Sequence, residues 1–241
     1  MYKPILSIVT VCRNARNDLQ RTVSSVKEQT ITDYEYLIVD GGSTDGTVQW
    51  LATQKGMQWI SEPDKGIYDA MNKGVQMAAG NWIIFMNAGD TFYSPEVLQQ
   101  VIPFLKDPYG LVYGDIVKER NGHEMIKRAE SPRNAHRMIC CHQALFTRTT
   151  LLKDMPFDTS YRLSADFKFF KQMYLRAVPM LYIPVIIARF DTHGASNTHR
   201  TEGLRENIRV IKETDAGLWE RFGFIIRLQF TILWSKLRHI L

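Results

Sequence analysis

A short apolar run that stops at a cluster of turn residues constrains the fold of this chain more than any other feature. No polar side chain interrupts Trp82–Met86, which is typical of a strand buried on both faces of a parallel sheet. The next four residues read NAGD, so Asp90 follows the carboxyl end of the strand. Ligands of open α/β sheets bind at that edge. Asp90 is therefore a candidate ligand for a hard cation that also contacts a phosphate, although a loop aspartate that caps a helix gives the same pattern.

Strands and helices alternate along the N-terminal part of the chain. Other strands are predicted at Ile5–Cys12, Tyr34–Val39 and Met57–Ile60, and helices at Asp18–Gln29, Thr47–Gln54 and Ile67–Ala79. This alternation indicates βαβ units, and hence an α/β fold with a mostly parallel sheet flanked by helices. The later predicted elements are a helix at Glu96–Leu105, a strand at Gly110–Tyr113, a hairpin over Ile116–Arg128, a strand at Cys141–Thr147, a helix at Leu163–Leu175, a strand-like run at Met180–Arg189 that Pro184 cuts, and a helix at Thr201–Thr214.

Composition and charge exclude several classes of protein. The 241 residues are 45% hydrophobic and 23% charged, which is enough for one large domain with or without a small appendage. The formal net charge is +5, but the basic residues are not interleaved with exposed aromatic ones, so no nucleic-acid partner is expected. The positive excess suits an anionic small substrate or an anionic membrane surface.

Cysteine usage and the lack of targeting segments indicate the compartment. Cys12, Cys140 and Cys141 are an odd number of cysteines without zinc-site spacing, which favours a reducing compartment over a disulfide framework. The apolar N-terminus lacks a basic leader region, and no uncharged apolar stretch is long enough to span a bilayer. We therefore expect a cytoplasmic protein.

The C-terminal segment Trp219–Leu241 is amphipathic and basic. Its apolar residues recur at near-helical spacing and are interrupted by arginines and lysine. A helix of this kind binds in the plane of an anionic membrane interface. We predict peripheral membrane contact through a helix within residues 216–241, with packing on the core or on a second subunit as the alternative.

Polar side chains follow three of the predicted strands. In chain order they are Thr10 and Asn14, then Asp40 and Asp45, then Asn87 and Asp90. A doubly wound sheet brings such loops together. Asp40 leaves its strand directly and is placed to accept hydrogen bonds from a base or a ribose, or to cap its own turn. That turn matches neither GxGxxG nor GxxxxGK[ST], which disfavours a dinucleotide fold and a P-loop.

Four further side chains are candidates on weaker signals. Lys65, in a Pro-Asp-Lys-Gly loop, is placed to neutralise a diphosphate or to be solvated. Asp166 lies between apolar neighbours early in a predicted helix, so it is either a functional group or a first-turn helix acid. His142 and His193 are lone histidines, a type that is more often structural, although the loop around His193 contains a glycine and is able to reach a metal.

Several ordered segments resemble one enzyme family. Four of them read SIVTVCRN, IVDGGSTDGT, SEPDKGIYDAMNKG and FMNAGD, and they extend over Pro4–Tyr93. CHQALF, LSADFKFF and THGAS continue the likeness further along the chain. In these segments the chain resembles the inverting family 2 glycosyltransferases, and among them the small bacterial enzymes that assemble exopolysaccharide, as in colanic acid, or O-antigen repeat units.

The resemblance implies a GT-A fold with a Rossmann-like sheet over residues 1–215. Its nucleotide-sugar-binding half would cover 1–115, and its acceptor-binding half 116–215. The resemblance further implies a UDP- or GDP-sugar donor, Mg²⁺ or Mn²⁺ as cofactor, and a glycan or undecaprenyl-diphosphate-linked acceptor. The expected location is the inner face of the cell membrane, where the product would enter bacterial surface polysaccharide.

The resemblance also implies roles for individual residues. Asp166 matches the catalytic base, and His142 lies in the expected acceptor-side loop. Ala88 replaces the first acid of the DxD-like metal motif, and Ala165 replaces an acid that usually precedes the base. Thr10 and Asp40 match positions where the family grips the nucleoside, and Asp90 matches the last acid of the metal motif. Together with the candidates named above, the expected nucleotide-sugar contacts are Thr10, Asn14, Asp40, Asp45, Lys65 and Asn87, and the expected metal ligands are Asp90 and His193.

Because Ala88 and Ala165 replace two acids of the family pattern, functions other than glycosyl transfer are also considered. A catalytically weak nucleotide-sugar-binding protein of the same fold would tolerate their loss. A nucleotidyltransferase is the other alternative, but such an enzyme typically carries a glycine-rich basic loop after the first strand, and Cys12–Arg16 contains no glycine.

Overall fold

The computed structural model of the protein describes residues 3–120, 123–190, 199–215 and 217–237. Its N-terminal part alternates strands and helices, as the sequence predicts. The strands are β1 (Leu6–Cys12), β2 (Tyr34–Asp40), β3 (Gln58–Ser61) and β4 (Trp82–Phe85), and the helices are α1 (Arg16–Lys27), α2 (Thr47–Leu51) and α3 (Ile67–Met77).

The second part of the chain is less regular. Its strands are β5 (Thr91–Phe92), β6 (Leu111–Arg120), β7 (His123–Lys127), β8 (Leu145–Arg148) and β9 (Met180–Phe190). Its helices are α4 (Val97–Val101), α5 (Thr149–Asp154), α6 (Ala165–Leu175), α7 (Arg200–Thr214) and α8 (Leu218–Leu237), with 3-10 turns at Ile102–Phe104 and His142–Ala144.

The strands of the described residues form one continuous sheet in the order β3-β2-β1-β4-β8-β6-β9-β5, with β7 paired to β6. The first four strands are parallel, and so are β6 and β9, whereas β8 runs antiparallel to both β4 and β6. The α/β class is therefore confirmed, with a parallel half and a mixed half. The predicted boundary at 115/116 falls inside β6.

The core lies on both faces of the sheet because successive strand residues point to opposite sides. On one face Val9 and Leu37 pack in a cluster with Met71 of α3, and on the other Ile8 packs with Leu19 of α1. Helix α3 lies close to β1, since a Cβ at Gly74 would sit 2.5 Å from Val9 Cγ1. This two-sided burial accounts for the apolar runs in the sequence.

Two local predictions need correction. The strand predicted at Cys141–Thr147 starts only at Leu145, because His142–Ala144 form a 3-10 turn. Pro184 does not cut the last strand: it lies in β9 where the register with β6 shifts, so no ladder hydrogen bond needs its missing N–H. The hairpin of β6 and β7 is confirmed.

A buried ion pair attaches the C-terminal helices to the domain. Lys171 of α6 places Nζ 2.9 Å from Asp215 Oδ2, at the residue that ends α7, and both side chains are 2% exposed. Lys171 also donates to Asn134 Oδ1 at 2.6 Å and to the Ala135 carbonyl at 3.0 Å. The tail is helical as predicted, and no helix of the described residues is long and apolar enough to cross a membrane.

Candidate active site

The loops after β2 and β4 lie on either side of the end of β1. The Gly41 N–H donates to the Cys12 carbonyl at 2.8 Å, and the Ala88 N–H donates to the Val11 carbonyl at 3.2 Å. This arrangement brings the loops that carry Asp40 and Asp90 to one edge of the sheet, as the parallel topology predicts.

Asn14 joins the loop after β1 to the glycine-rich loop after β2. Its backbone N–H donates to Ser43 Oγ at 2.7 Å, and its Oδ1 accepts from the Thr44 N–H at 2.8 Å. Its φ of 49° lies in the left-handed region, which asparagine tolerates better than most residues. The side chain predicted to contact the donor thus also shapes the loop.

Asp40 is buried at the end of β2 and accepts several hydrogen bonds. Ser61 Oγ donates to Oδ2 at 2.7 Å, the Ser43 N–H donates to the same oxygen at 2.9 Å, and Ser43 Oγ donates to Oδ1. Burial alone would raise the pKa of this carboxyl, but the hydrogen bonds outweigh it and hold the pKa below its ordinary value. Asp40 is therefore ionised and caps its own turn; its contact with a nucleoside stays a prediction.

Asp45 is exposed and links two helix starts. Its Oδ2 accepts from the Arg16 N–H at 3.1 Å, and its Oδ1 accepts from Thr47 Oγ1 at 2.6 Å. The Thr47 hydroxyl, together with backbone donors, lowers the pKa of Asp45. These contacts satisfy N–H groups that a helix leaves without an internal partner.

Thr10 lies inside the sheet, two residues before the end of β1. It is fully buried, and its Oγ1 donates to the Met86 carbonyl at 2.7 Å and lies 2.9 Å from the Tyr36 hydroxyl. The structure therefore gives this side chain partners within the protein.

Asp90 is also buried, at 4% exposure, and Gln143 is its neighbour from the second half of the chain. Gln143 Nε2 donates to Asp90 Oδ2 at 2.8 Å. The loop is held from the other side by Thr22 of α1, whose Oγ1 donates to the Asp90 carbonyl at 2.7 Å and accepts from the Gly89 N–H at 3.0 Å. Gly89 has a φ of 102°, a conformation that favours glycine at this turn.

Asp166 lies in the first turn of α6, and three donors hold it. The Tyr68 hydroxyl donates to Oδ1 at 2.9 Å, and the Phe167 N–H donates to the same oxygen at 2.8 Å. His142 Nδ1 lies 3.1 Å from Oδ2. A carboxylate oxygen has about two acceptor positions, so Oδ1 is saturated, whereas Oδ2 has one hydrogen-bond partner among the described residues.

His142 connects Asp166 to the loop after β4. Its Nε2 lies 3.0 Å from Asn87 Nδ2; with the Asn87 amide assigned this orientation, Nδ2 donates to Nε2, and Nδ1 carries the proton and donates to Asp166. Burial alone would lower the pKa of His142, but the carboxylates of Asp166 and Asp90 outweigh it and raise that pKa. Asn87 Oδ1 and Gln143 Oε1 are buried without a hydrogen-bond partner in the described part of the chain.

The structure thus divides the predicted residues into neighbouring groups. Asn87, Asp90, His142 and Asp166 meet around the His142–Ala144 turn, whereas Asn14, Asp40 and Asp45 surround the ends of β1 and β2. Lys65 lines a cleft with Tyr161 and Arg162. His193 lies outside the described residues.

Sequence reasoning missed Tyr68 and Gln143. Both lie within quoted segments, GIYDAM and CHQALF, but no local pattern indicates that they reach an acid far away in the chain. Tyr68 and Asp166 are 98 positions apart, and Gln143 and Asp90 are 53 apart.

The surroundings of Asp90 offer a divalent cation one carboxylate. No group of three His, Cys, Asp or Glu side chains that could hold a metal occurs within the described ranges. Mg²⁺, however, is commonly held by one or two carboxylates together with substrate phosphates and water. The single carboxylate of Asp90 would suit such a site, with the substrate supplying the other ligands.

The chain is similar to known glycosyltransferases. The family model described as Glycosyl transferase family 2 matches residues 7–178. The chain is 33% identical over 208 residues to a PGL/p-HBAD biosynthesis glycosyltransferase of Mycobacterium bovis, with 82% of this chain and 81% of that protein covered.

Two solved structures are similar in fold. A mannosyltransferase of Pyrobaculum calidifontis in complex with GDP-Man and Mn²⁺ has a TM-score of 0.70 and 16% identity, over 96% of this chain and 70% of that chain. TarS 1-349 of S. aureus has a TM-score of 0.67 and 18% identity, over 91% of this chain and 69% of that chain. Because the family model covers most of the chain and the fold agrees, the chain belongs to glycosyl transferase family 2 and is a glycosyltransferase with a GT-A fold.

Proposed function

We propose that the protein is an inverting glycosyltransferase that moves a sugar from a nucleotide-sugar to an acceptor hydroxyl in one displacement. The observation that carries the proposal is the position of Asp166, which Tyr68 and His142 hold beside the loop that bears Asn87 and Asp90. A base held at the edge where a sugar diphosphate binds is the arrangement that single displacement needs.

Asp166 acts as the general base through Oδ2. Oδ1 already accepts hydrogen bonds from the Tyr68 hydroxyl and the Phe167 N–H, so the acceptor's proton goes to Oδ2. As that proton leaves, the acceptor oxygen attacks the anomeric carbon, and the nucleoside diphosphate departs from the opposite face. Attack opposite the leaving group inverts the anomeric configuration.

The donor is a UDP- or GDP-sugar that lies along the ends of β1, β2 and β4. Asn14, Asp40 and Asp45 contact its nucleoside part, while Lys65 and Asn87 lie towards the diphosphate. Asp90 would hold a Mg²⁺ or Mn²⁺ ion, and such an ion would supply charge neutralisation at the diphosphate leaving group. Support comes from structures similar in fold: those of TarS in complex with UDP and with UDP-GlcNAc, and that of the mannosyltransferase with GDP-Man and Mn²⁺.

The acceptor is a hydroxyl of a glycan or of an undecaprenyl-diphosphate-linked saccharide. The mycobacterial relative is described by its role in PGL/p-HBAD biosynthesis, which supports a product of the glycolipid or polysaccharide class. A lipid-linked acceptor would be presented at the inner face of the cell membrane, and the enzyme would act there as a cytoplasmic protein.

Asp166→Asn tests the proposal. It should lower the rate of transfer by about 10²–10⁴-fold, because the amide retains similar shape but cannot take a proton. Transfer is measured as nucleotide release with a nucleotide-sugar panel and an acceptor pool, and donor binding by calorimetry. Unchanged donor affinity with transfer lost supports the base assignment, whereas transfer at the wild-type rate contradicts it.

A catalytically weak nucleotide-sugar-binding protein is the second candidate. The absence of an acid at Ala88 and Ala165 and the deep burial of Asp90 favour it. Donor hydrolysis with and without Mn²⁺ separates the two functions, since metal-stimulated nucleotide release requires turnover. A donor that binds and raises the melting temperature without any release supports the binding protein instead.

A further inference from the structure

Helix α8 has two different faces. One face packs on the domain: Leu228 is 2% exposed, and the Phe224 ring lies 5.8 Å from the His136 ring and 5.2 Å from Lys171 Nζ. The Lys171–Asp215 ion pair fixes the chain just before α8 begins. The helix is therefore a docked part of the domain rather than a separate tail.

The opposite face of α8 exposes large apolar side chains. Their exposed fractions lie between 56% and 89% for Leu218, Trp219, Phe222, Phe230, Leu233 and Trp234. At one turn per 3.6 residues these six positions fall within an arc of about 160°, opposite Phe224 and Leu228. Isolated exposed apolar residues are normal on a protein surface, but a contiguous stripe of this size marks an interaction surface.

The charges near this stripe indicate what covers it. At the same helical spacing Arg227 borders the stripe, whereas Arg221 lies beside Leu228 on the packed face; Glu220 is the one acid of the helix, and the whole chain carries a net charge of +5. Aromatic residues at both ends of an apolar stripe, with an arginine beside it, match the chemistry of an anionic bilayer interface.

A second copy of the chain fits the same stripe poorly. The centre of a helix that runs over Leu218–Leu237 lies beside Arg227. If two α8 helices paired antiparallel about their centres, both Arg227 side chains would lie on the same border of the contact. Like charges there oppose pairing, whereas anionic headgroups neutralise them.

We propose that α8 docks its exposed apolar stripe on an anionic lipid bilayer, with the helix axis parallel to the membrane surface. The inner face of α8 stays on the domain, so docking brings the whole domain to the bilayer. The proposal goes beyond the transferase reaction and does not depend on it.

Vesicle sedimentation with the full chain tests the proposal. We expect binding to phosphatidylcholine vesicles that contain phosphatidylglycerol, and weaker binding when that anionic lipid is omitted or salt is raised. Trp219→Ser with Phe230→Ser should lower the partition coefficient on the order of 100-fold. Arg227→Gln should lower it about fivefold on the anionic vesicles and much less on the neutral ones.

Met125→Ser with Ile126→Ser is the matched control. These residues are 51% and 57% exposed on β7, so the control removes exposed apolar surface away from α8. It should bind vesicles like the wild type, and circular dichroism should show all variants folded. Equal binding by the α8 double variant and the wild type, or no vesicle binding by the wild type, overturns the proposal. So does a dimer in solution that the α8 variant abolishes while vesicles bind neither protein.

Discussion

Two substitutions of His142 separate its two hydrogen bonds. Nδ1 lies 3.1 Å from Asp166 Oδ2, and Nε2 lies 3.0 Å from Asn87 Nδ2. An asparagine amide nitrogen falls near the position of Nδ1, and a glutamine amide near that of Nε2. His142→Asn therefore keeps a donor for Asp166, whereas His142→Gln keeps only the partner of Asn87.

The expected loss of kcat follows from the hydrogen bond that each variant loses. A hydrogen bond to a charged group contributes about 1.5–3 kcal/mol, which corresponds to about 10–150-fold in rate if the base is positioned by it. We expect His142→Gln to lower kcat within that range and to leave the KM for the nucleotide-sugar within about threefold, because the donor does not depend on this contact. His142→Asn should retain most of kcat.

The assay is steady-state nucleotide release at saturating donor and acceptor, with melting temperatures measured for each variant. Tyr68→Phe is the companion variant, because it removes a donor to the other oxygen of the same carboxylate. Since both residues act through Asp166, the double variant Tyr68→Phe with His142→Gln should show non-additive losses. Equal kcat values for the asparagine and glutamine variants would refute the positioning role of His142.

Two further predictions concern stability. Lys171→Met should lower the free energy of unfolding by about 3–5 kcal/mol in denaturant titrations, because it leaves the buried Asp215 carboxylate unpaired, and Lys171→Met combined with Asp215→Leu should recover much of the loss. Burial would raise the pKa of Glu213, but hydrogen bonds from Lys168, Tyr161 and Arg209 outweigh it and hold that pKa at about 2. The stability from this lowered pKa is therefore present above the ordinary pKa of a glutamate and is lost as the pH falls towards about 2. Glu213→Gln should flatten the acid limb of a plot of unfolding free energy against pH, and an unchanged limb would contradict the assignment.

The sequence is sufficient for the parallel half of the sheet. β1, β2 and β4 are apolar runs that end in polar turns, and the helices between them have clear periodicity, so each element is encoded within its own few residues. The edge that carries Asp40 and Asp90 follows from the topology that this alternation requires.

The mixed half was less predictable because its pairing is antiparallel and non-sequential. β8 inserts between β4 and β6, and β5 pairs at the far edge with β9, a partner nearly a hundred positions later in the chain. Which strands pair in this half depends on the surfaces that remain uncovered after the first half has formed. No local sequence pattern indicates this pairing.

In the candidate active site, too, some features follow from local sequence and others only from the tertiary structure. Single residues such as Asp90 and Asp166 can be chosen from their strand and helix contexts, and the resemblance of the quoted segments indicates their roles. Their partners cannot be chosen in this way, because Tyr68 reaches Asp166 across 98 positions and His142 reaches Asn87 across 55. Local propensity acts over a few residues, whereas the hydrogen bonds that orient a base depend on packing distances between elements that meet only when the sheet is complete.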